Sequence, residues 1–548
     1  MTAIPHAAPD LWRRPEITPL ALNITVATWI MATCNGGFWS AAVAIFKGAP
    51  LELLGMAAAV WSVTFFTLSL VSLPLLHRPA AAALILISAA ASYYQDTLGV
   101  LIDREMVRNV MQTTFTESKH LITLGYVQTM LLKGVLPAAA IFWPRLARVP
   151  LRHLLWRWPL GIALGFALTV GFLLTDFKAY SAVIREQKQM MGAYQPGATI
   201  AALFKYGKDQ FRGAQIVAQP LGRDATKGPA LLAAEKPALL ILFVGETARA
   251  QNFGLNGYAV DTTPELRTRD VINYSQATAC GTSTAVSVPC MFSPFAAEDY
   301  TRQKFLGSEN LLDVLAHAGM KVEWWDNNTG DQLVAKRIGW TKVDATLNPA
   351  ACAEGECTDD ALLTVIDRTI ASMKDDTVLV LHMIGSHGPA YYLRYPQARA
   401  AFTPDCRSAQ FADCTPEEIV NAYDNSILQT DRVVSAAIDR AQAASGILPA
   451  VLFMSDHGES LGEGGLYLHA APRFMAPEVQ TRVPFVLWLS DRFQKAMGVD
   501  QGCLVQGAAA PVSHDNLFHT VLGLMDVQTA VRSDGLDLSA PCRKRDAM

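Results

Sequence analysis

Charge is scarce in this chain. Of 548 residues, 17% are Asp, Glu, Lys or Arg, 51% are hydrophobic, and the formal net charge is −4. So weakly acidic a balance leaves no electrostatic footprint for nucleic acid, which excludes it as a partner. Cysteine is nearly missing from the first half: Cys34 stands alone until Cys280, and seven more follow. No CxxC occurs. Internal repeats and low-complexity tracts are absent as well, which removes solenoids and compositional linkers from consideration.

What is present is a block of apolar sequence in the first third. Runs at 18–46, 50–76, 79–98, 121–144 and 154–177 each reach the roughly 20 residues needed to cross a bilayer. Buried core helices are the rival reading, but five such runs in succession with so few charges favour membrane spans. A cleaved signal peptide does not fit, because the first run is too long and others follow. Aromatic residues cluster at run ends, as in "RLARVPLRHLLWRWPL", as interfacial anchors do. With the N-terminus cytoplasmic, Arg13, Arg14, Arg78, Arg145, Arg148, Arg152 and Arg157 fall inside. Lys47 and the mixed-charge segment 99–120 fall outside. An odd number of spans then places everything beyond 177 outside.

The cysteines agree with that orientation. Eight lie beyond residue 279, several in short-range couples: Cys280/Cys290, Cys352/Cys357 and Cys406/Cys414, with Cys503 and Cys542 as a remaining pair. An even set of this kind suits an oxidising compartment. A zinc cluster at "CAEGEC" is the competing reading. Within "ACGTSTAVSVPC", Cys280 and Cys290 enclose Thr282, Ser283, Thr284 and Ser287. The loop reads either as a stapled surface turn or as the carrier of a reactive hydroxyl.

Residues 178–235 read as a polar connector. "YSAVIREQKQMMGAY" has helical spacing, "QPGA" breaks it, and "PLGRDATKGP" is loop-like. From about 236 the pattern becomes α/β. "PALLILFVGE", "DTVLVLHMIG" and "ILPAVLFMSDHG" are continuous apolar runs, as expected of strands buried on both faces. "SENLLDVLAHAGM" and "TDDALLTVIDRTIASM" are amphipathic helices, and "KVEWW" is strand-like. Alternating strands and helices predict a mostly parallel sheet covered on both faces, with ligands at the carboxyl ends of the strands.

Three of the apolar strands run into polar clusters that deliver Glu246, His387, and Asp456 with His457; "GLYLHAAP" adds His469. Each has a structural alternative, such as a helix cap or a turn residue. Together, carboxylates and imidazoles at strand ends suit zinc. A hydroxyl near zinc could ionise near neutral pH and attack phosphorus or sulfur. If a helix starts after Ser283, its N-terminus would favour an anion.

"VGETARAQNFGLNGY", "CGTSTAVSVPCMFS", "WWDNN", "LHMIGSHGPAYYLRYP" and "SDHGESLGEGGLYLH" resemble the phosphoethanolamine transferases of the EptA/MCR type, within the alkaline-phosphatase-like superfamily. The resemblance covers essentially the whole chain. It implies an inner-membrane protein with five helices in residues 1–177, including the periplasm-facing segment 99–120. A connector at 178–235 and a periplasmic catalytic domain at 236–548 follow, with an alkaline-phosphatase-like, mostly parallel sheet. It implies Thr284 as nucleophile and Glu246, Thr284, Asp456 and His457 as ligands of one tight zinc ion, with a second zinc as an option. His387 and His469 would contact substrate phosphate or that second zinc, and either could be the general acid. Asn109, Thr113 and Glu117, spaced i, i+4, i+8 on one helical face, would contribute to the phospholipid headgroup site with Asn328 and Thr329. The donor would be phosphatidylethanolamine and the acceptor a lipid A phosphate, through a phosphoethanolamine-threonine intermediate in a monomer, with resistance to polymyxins as the outcome. The four cysteine couples would be disulfides.

The chain departs from the family in places. Gln332 stands where many relatives carry lysine, and the first lysine nearby is Lys336. Gly464 and Ala470 stand where Asn and Gly are common. Two other functions stay open at this point. One is a related transferase acting on core sugar or another envelope acceptor, or using phosphatidylglycerol. The other is a membrane sensor with an inactive enzyme domain, against which the full Glu246, Thr284, Asp456 and His457 set argues.

Overall fold

The computed structural model describes residues 14–113, 115–353 and 355–543, with the side chains of 115–117 excepted. The chain forms two compact units. One comprises residues up to 103 together with 124–204; the other comprises 104–123 together with the chain from 205 onward.

The first unit is helical at all five apolar runs. Pro50–Leu70 and Leu151–Leu174 are the two helices among the described residues that are long and apolar enough to cross a membrane alone. The run 18–46 is instead two helices, Pro19–Thr33 and Gly36–Ile45. They part at Asn35, whose amide donates to the carbonyls of Ile30 and Gln195, both at 3.0 Å, and accepts from the Gln195 N–H at 2.8 Å. A side chain that satisfies backbone groups at a break makes the break tolerable in apolar surroundings. His77–Leu98 is continuous, whereas 124–140 runs as α, π and α segments. Within Leu151–Leu174 only Gly165 is buried; Leu151, Leu155 and Leu174 are exposed. Apolar helices that present leucine outward are suited to lipid rather than water.

The second unit is built on a seven-stranded sheet. Its strands are β1 (Ala238–Gly245), β2 (Ile272–Asn273), β3 (Lys321–Asp326), β4 (Thr341–Lys342), β5 (Thr377–His382), β6 (Leu448–Ser455) and β7 (Phe485–Leu489), in the order β2-β7-β6-β1-β5-β3-β4. From β6 to β4 every pairing is parallel. β7 and β2 are antiparallel at one edge. Every residue of β1, β5 and β6 is buried, which is why these segments read as unbroken apolar runs. The expected helices are present: Leu311–His317, with a capping box between Asn310 and Asp313, and Asp360–Ser372. "QPGA" does end one helix, but it also opens the 17-residue helix Gly197–Gly213.

Candidate active site

β1, β5 and β6 lie side by side and end in register. Val244 pairs with His382 and with Met454. The residues just past these ends are therefore forced together, in the crevice where parallel sheets collect ligands. Glu246 follows β1, Asp456 and His457 follow β6, and His387 lies in the loop after β5. That loop can close on Glu246 because residue 385 is glycine. Its φ is +48°, and a Cβ there would stand 2.5 Å from the Glu246 carbonyl oxygen. Thr247 also holds a positive φ of 54°. The Tyr423 hydroxyl donates to its carbonyl at 2.7 Å, and its own N–H donates to Asp456 Oδ1 at 3.2 Å. Strain persists where neighbours over-determine it in this way.

Thr284 is the first residue of the helix Thr284–Met291, with Ser283 preceding it in extended conformation. The four hydroxyls of the loop separate at this point. Thr282 donates to the Ala471 carbonyl at 2.7 Å, and Ser287 accepts from the Gly281 N–H at 3.1 Å. Thr284 Oγ1 faces Glu246 Oε2 at 3.1 Å and His457 Nε2 at 3.4 Å. Gly281 admits no side chain, since a Cβ would meet Val286 at 2.7 Å. Disulfides join Cys280–Cys290, Cys352–Cys357, Cys406–Cys414 and Cys503–Cys542, so "CAEGEC" is a disulfide hairpin and not a metal cluster.

Glu246, Asp456 and His457 are fully buried, and one ligand atom of each lies within 4.8 Å of the others. Their hydrogen bonds leave donor atoms free toward a common point. Asp456 Oδ1 accepts from the backbone of Thr247 and His457, while Oδ2 has no partner and no solvent. His457 Nδ1 faces the Gly458 carbonyl at 2.9 Å, which fixes that nitrogen as the donor and leaves Nε2 its lone pair. Burial and the neighbouring His469 hold His457 down to about 3, so it is a neutral imidazole, as ligation requires. Burial opposes the Glu246 charge, but His457, His387, His469 and His382 outweigh it and hold Glu246 down to about 2. Burial, then that same Glu246 charge, push Asp456 well up. An unpartnered carboxylate oxygen beside a second buried carboxylate and an imidazole, with a hydroxyl alongside, matches the O- and N-donor set of zinc.

His469 and His387 flank this cluster. The His469 ring centroid lies 4.5 Å from that of His457 and 5.6 Å from that of His387. Glu459 Oε2 holds His469 Nδ1 at 2.9 Å, and Tyr391 donates to the other oxygen of Glu459 at 2.7 Å. His469 sits between two positive-φ residues, Leu468 at 62° and Ala470 at 66°. Arg394 Nε donates to the His387 carbonyl at 2.9 Å.

The segment 104–123 belongs to the same unit, and Asn109 Nδ2 lies 3.4 Å from His469 Nε2. The expectation of one helical face through Asn109, Thr113 and Glu117 needs correction. The first helix is Arg104–Gln112 and a separate one runs Phe115–Leu121. Thr113 donates both its N–H, at 2.9 Å, and its hydroxyl, at 2.7 Å, to the Asn109 carbonyl. The Glu117 side chain lies outside the described residues. Asn328 does reach the cluster, with Nδ2 2.7 Å from Glu246 Oε2. Thr329 accepts from Gln332 Nε2 at 3.1 Å. Asp326 and His382, absent from the sequence reading, prove to be buried beside Asn328.

The sulfatase family matches residues 238–527, and the phosphoethanolamine transferase EptA/EptB family matches residues 60–211. Phosphoethanolamine transferase EptA of Salmonella typhimurium is 37% identical over 97% of this chain and 98% of its own. The chain belongs to the EptA-type phosphoethanolamine transferases. Phosphatidylethanolamine transferase Mcr-1 of Escherichia coli is 32% identical over 94% of this chain and 97% of its own. The integral membrane EptA from Neisseria meningitidis, a lipooligosaccharide phosphoethanolamine transferase, superposes with a TM-score of 0.92 at 36% identity, covering 97% of this chain and 100% of that one. The EptA likeness thus extends over both units.

Proposed function

We propose that this chain is a zinc-dependent transferase that moves phosphoethanolamine from phosphatidylethanolamine to a lipid A phosphate. Five membrane helices in 1–177 with a cytoplasmic N-terminus, a connector at 178–235 and a periplasmic domain at 236–548 carry it. The observation that bears most weight is Thr284 Oγ1 standing 3.1 Å from Glu246 and 3.4 Å from His457 at the start of a helix. Glu246, Thr284, Asp456 and His457 would hold the zinc. When bound, zinc supplies Lewis-acid polarisation and favours the ionised form of the threonine. Thr284, once its proton is lost, attacks phosphorus; the bond to diacylglycerol breaks, leaving a phosphoethanolamine-threonine. A lipid A phosphate oxygen then attacks the same phosphorus and releases Thr284. The N–H groups of the helix N-terminus favour the developing negative charge. His469, oriented by Glu459, or His387 gives the leaving oxygen its proton. One chain carries every residue of the site, so a monomer suffices. Added ethanolamine cations lower the surface negative charge, which weakens attraction of polymyxins.

Thr284→Ala in the full-length protein is expected to cut diacylglycerol release from fluorescent phosphatidylethanolamine by roughly 10³-fold or more. Undiminished release would refute the nucleophile assignment. Mass spectrometry of the envelope should find one added phosphoethanolamine on lipid A. Addition only to core sugar, or transfer of phosphoglycerol, would overturn the acceptor or the donor.

A further inference from the structure

Beyond the cluster lies a buried polar pair that the proposed chemistry does not use. β3 and β5 are parallel neighbours, and Asp326 and His382 are register partners at their ends. Both are buried, with His382 fully so. Asp326 Oδ2 accepts from His382 Nδ1 at 2.8 Å and Trp324 Nε1 at 3.1 Å; Oδ1 accepts from the backbone N–H of Asn328 and Gly330, both at 2.9 Å. With four donors and no acceptor role left open, this carboxylate fixes both the imidazole and the 327–330 turn. His382 Nδ1 donates to Asp326, and His382 Nε2 contacts the Asn328 amide nitrogen at 3.3 Å. Asn328 Nδ2 donates to the Met383 carbonyl at 2.9 Å and to Glu246 Oε2 at 2.7 Å. The two hydrogens of Nδ2 are taken by these two acceptors, and with the Asn328 backbone N–H held by Asp326 the amide keeps a single orientation. Its oxygen has no partner and is buried.

We infer that Asp326 and His382 form a positioning pair that, through the Asn328 amide, orients Glu246 toward Thr284 and the metal position. The inference rests on the transferase reading. Glu246 Oε2 is the atom shared by Asn328 at 2.7 Å and Thr284 at 3.1 Å. Rotation of the Asn328 amide would put its oxygen against the Glu246 carboxylate and drive that carboxylate away from Thr284. Three neighbouring strand ends are thus linked: Asp326 holds the His382 imidazole and the Asn328 backbone, His382 packs against the Asn328 amide, and that amide donates to Glu246. Outer groups of this kind set ligand orientation, and their loss costs about 10–100-fold in metal affinity or activity.

The test is a double-mutant cycle on the full-length protein in detergent, read by zinc retention against a competing chelator and by kcat and KM for diacylglycerol release. His382→Ala and Asn328→Ala are each expected to lower zinc retention and kcat by about 10–100-fold, with KM changed less than about threefold. The double variant should lose no more than the worse single one. His382→Gln, which keeps a polar side chain beside Asp326 and the Asn328 amide, should recover most of the loss. Additive losses would overturn the inference, as would equal losses in His382→Ala and His382→Gln at unchanged melting temperature. If His382→Ala fails to fold, Asp326→Asn takes its place in the cycle. Wild-type protein that holds zinc but releases no diacylglycerol would refute the transferase reading, while the retention cycle still decides the role of the pair.

Discussion

At the residue scale, the two small departures from the family around His469 have a backbone explanation. Gly464 and Ala470 adopt positive φ values of 60° and 66°. Gly and Asn enter that region readily; alanine does so against a penalty of about 1–2 kcal/mol. Ala470 stays there because its N–H donates to the Thr282 carbonyl at 2.6 Å, joining the His469 turn to the nucleophile loop. Ala470→Gly is expected to stabilise the protein by about 0.5–1 kcal/mol, the relief of strain exceeding the added freedom of the unfolded glycine. A raised melting midpoint checks this, and a lowered one contradicts it. Gln332 is a different case. It bonds Thr329 from a positive-φ position, and the cationic side chains lining the pocket beside Asn328 and Thr329 are Lys342 and Arg394.

At the scale of elements, two short links hold the site. The Cys280–Cys290 bond closes a ring with a sequence separation of 10. In the chain-entropy model its loss costs about 3 kcal/mol. Replacing both cysteines by serine should lower the denaturation midpoint accordingly. It should also lower kcat under conditions where the protein is still folded, because the ring carries Thr284; full kcat in the folded variant would refute the positioning role. The second link is Glu356, inside the Cys352–Cys357 hairpin. His120, on the helix Phe115–Leu121, lies 2.7 Å from Glu356 Oε1, and Arg394, which also holds the His387 carbonyl, donates to Oε2 at 2.9 Å. Burial raises the Glu356 carboxyl, but the His120 hydrogen bond and the Arg394 charge outweigh it and hold it down to about 2. A depressed carboxyl contributes stability above its ordinary value of 4.5 and loses it as pH falls through the folded value. The stability gap between wild type and Glu356→Gln should therefore be full above about pH 4.5 and shrink toward pH 2. Solvent screening limits that gap to about 1–2 kcal/mol. Denaturant melts across that range measure it.

At the scale of the whole molecule, the zinc reading ties stability to metal. Glu246 and Asp456 are buried together, and a cation that binds only the folded state stabilises it by mass action. Exhaustive chelation should abolish diacylglycerol release and lower the melting temperature of the catalytic domain, and added zinc should restore both. A melting temperature indifferent to chelation would count against a resident metal. In the membrane unit, the exposed leucines of Leu151–Leu174 suit contact with lipid, and the break at Asn35 is tolerated because its side chain satisfies backbone groups there.

Much of this organisation was legible along the chain. β1, β5 and β6 could be read because strands buried on both faces need unbroken apolar runs. Glu246, Asp456 and His457 stood out because polar residues directly after such runs must lie at strand ends. The short cysteine couples were readable because few residues separate them. What the chain alone did not reveal depends on strand order. Asp326, His382 and Glu246 are far apart in sequence and meet only because β3, β5 and β1 are parallel neighbours in register. The helical spacing of Asn109, Thr113 and Glu117 was real as a pattern, but the chain divides it between the helices Arg104–Gln112 and Phe115–Leu121. Within "ACGTSTAVSVPC" the residues alone left the hydroxyls equal, until folding gave Thr282 and Ser287 backbone partners and turned Thr284 to Glu246 and His457. Local chemistry determined which groups could react; non-local packing decided which of them face one another.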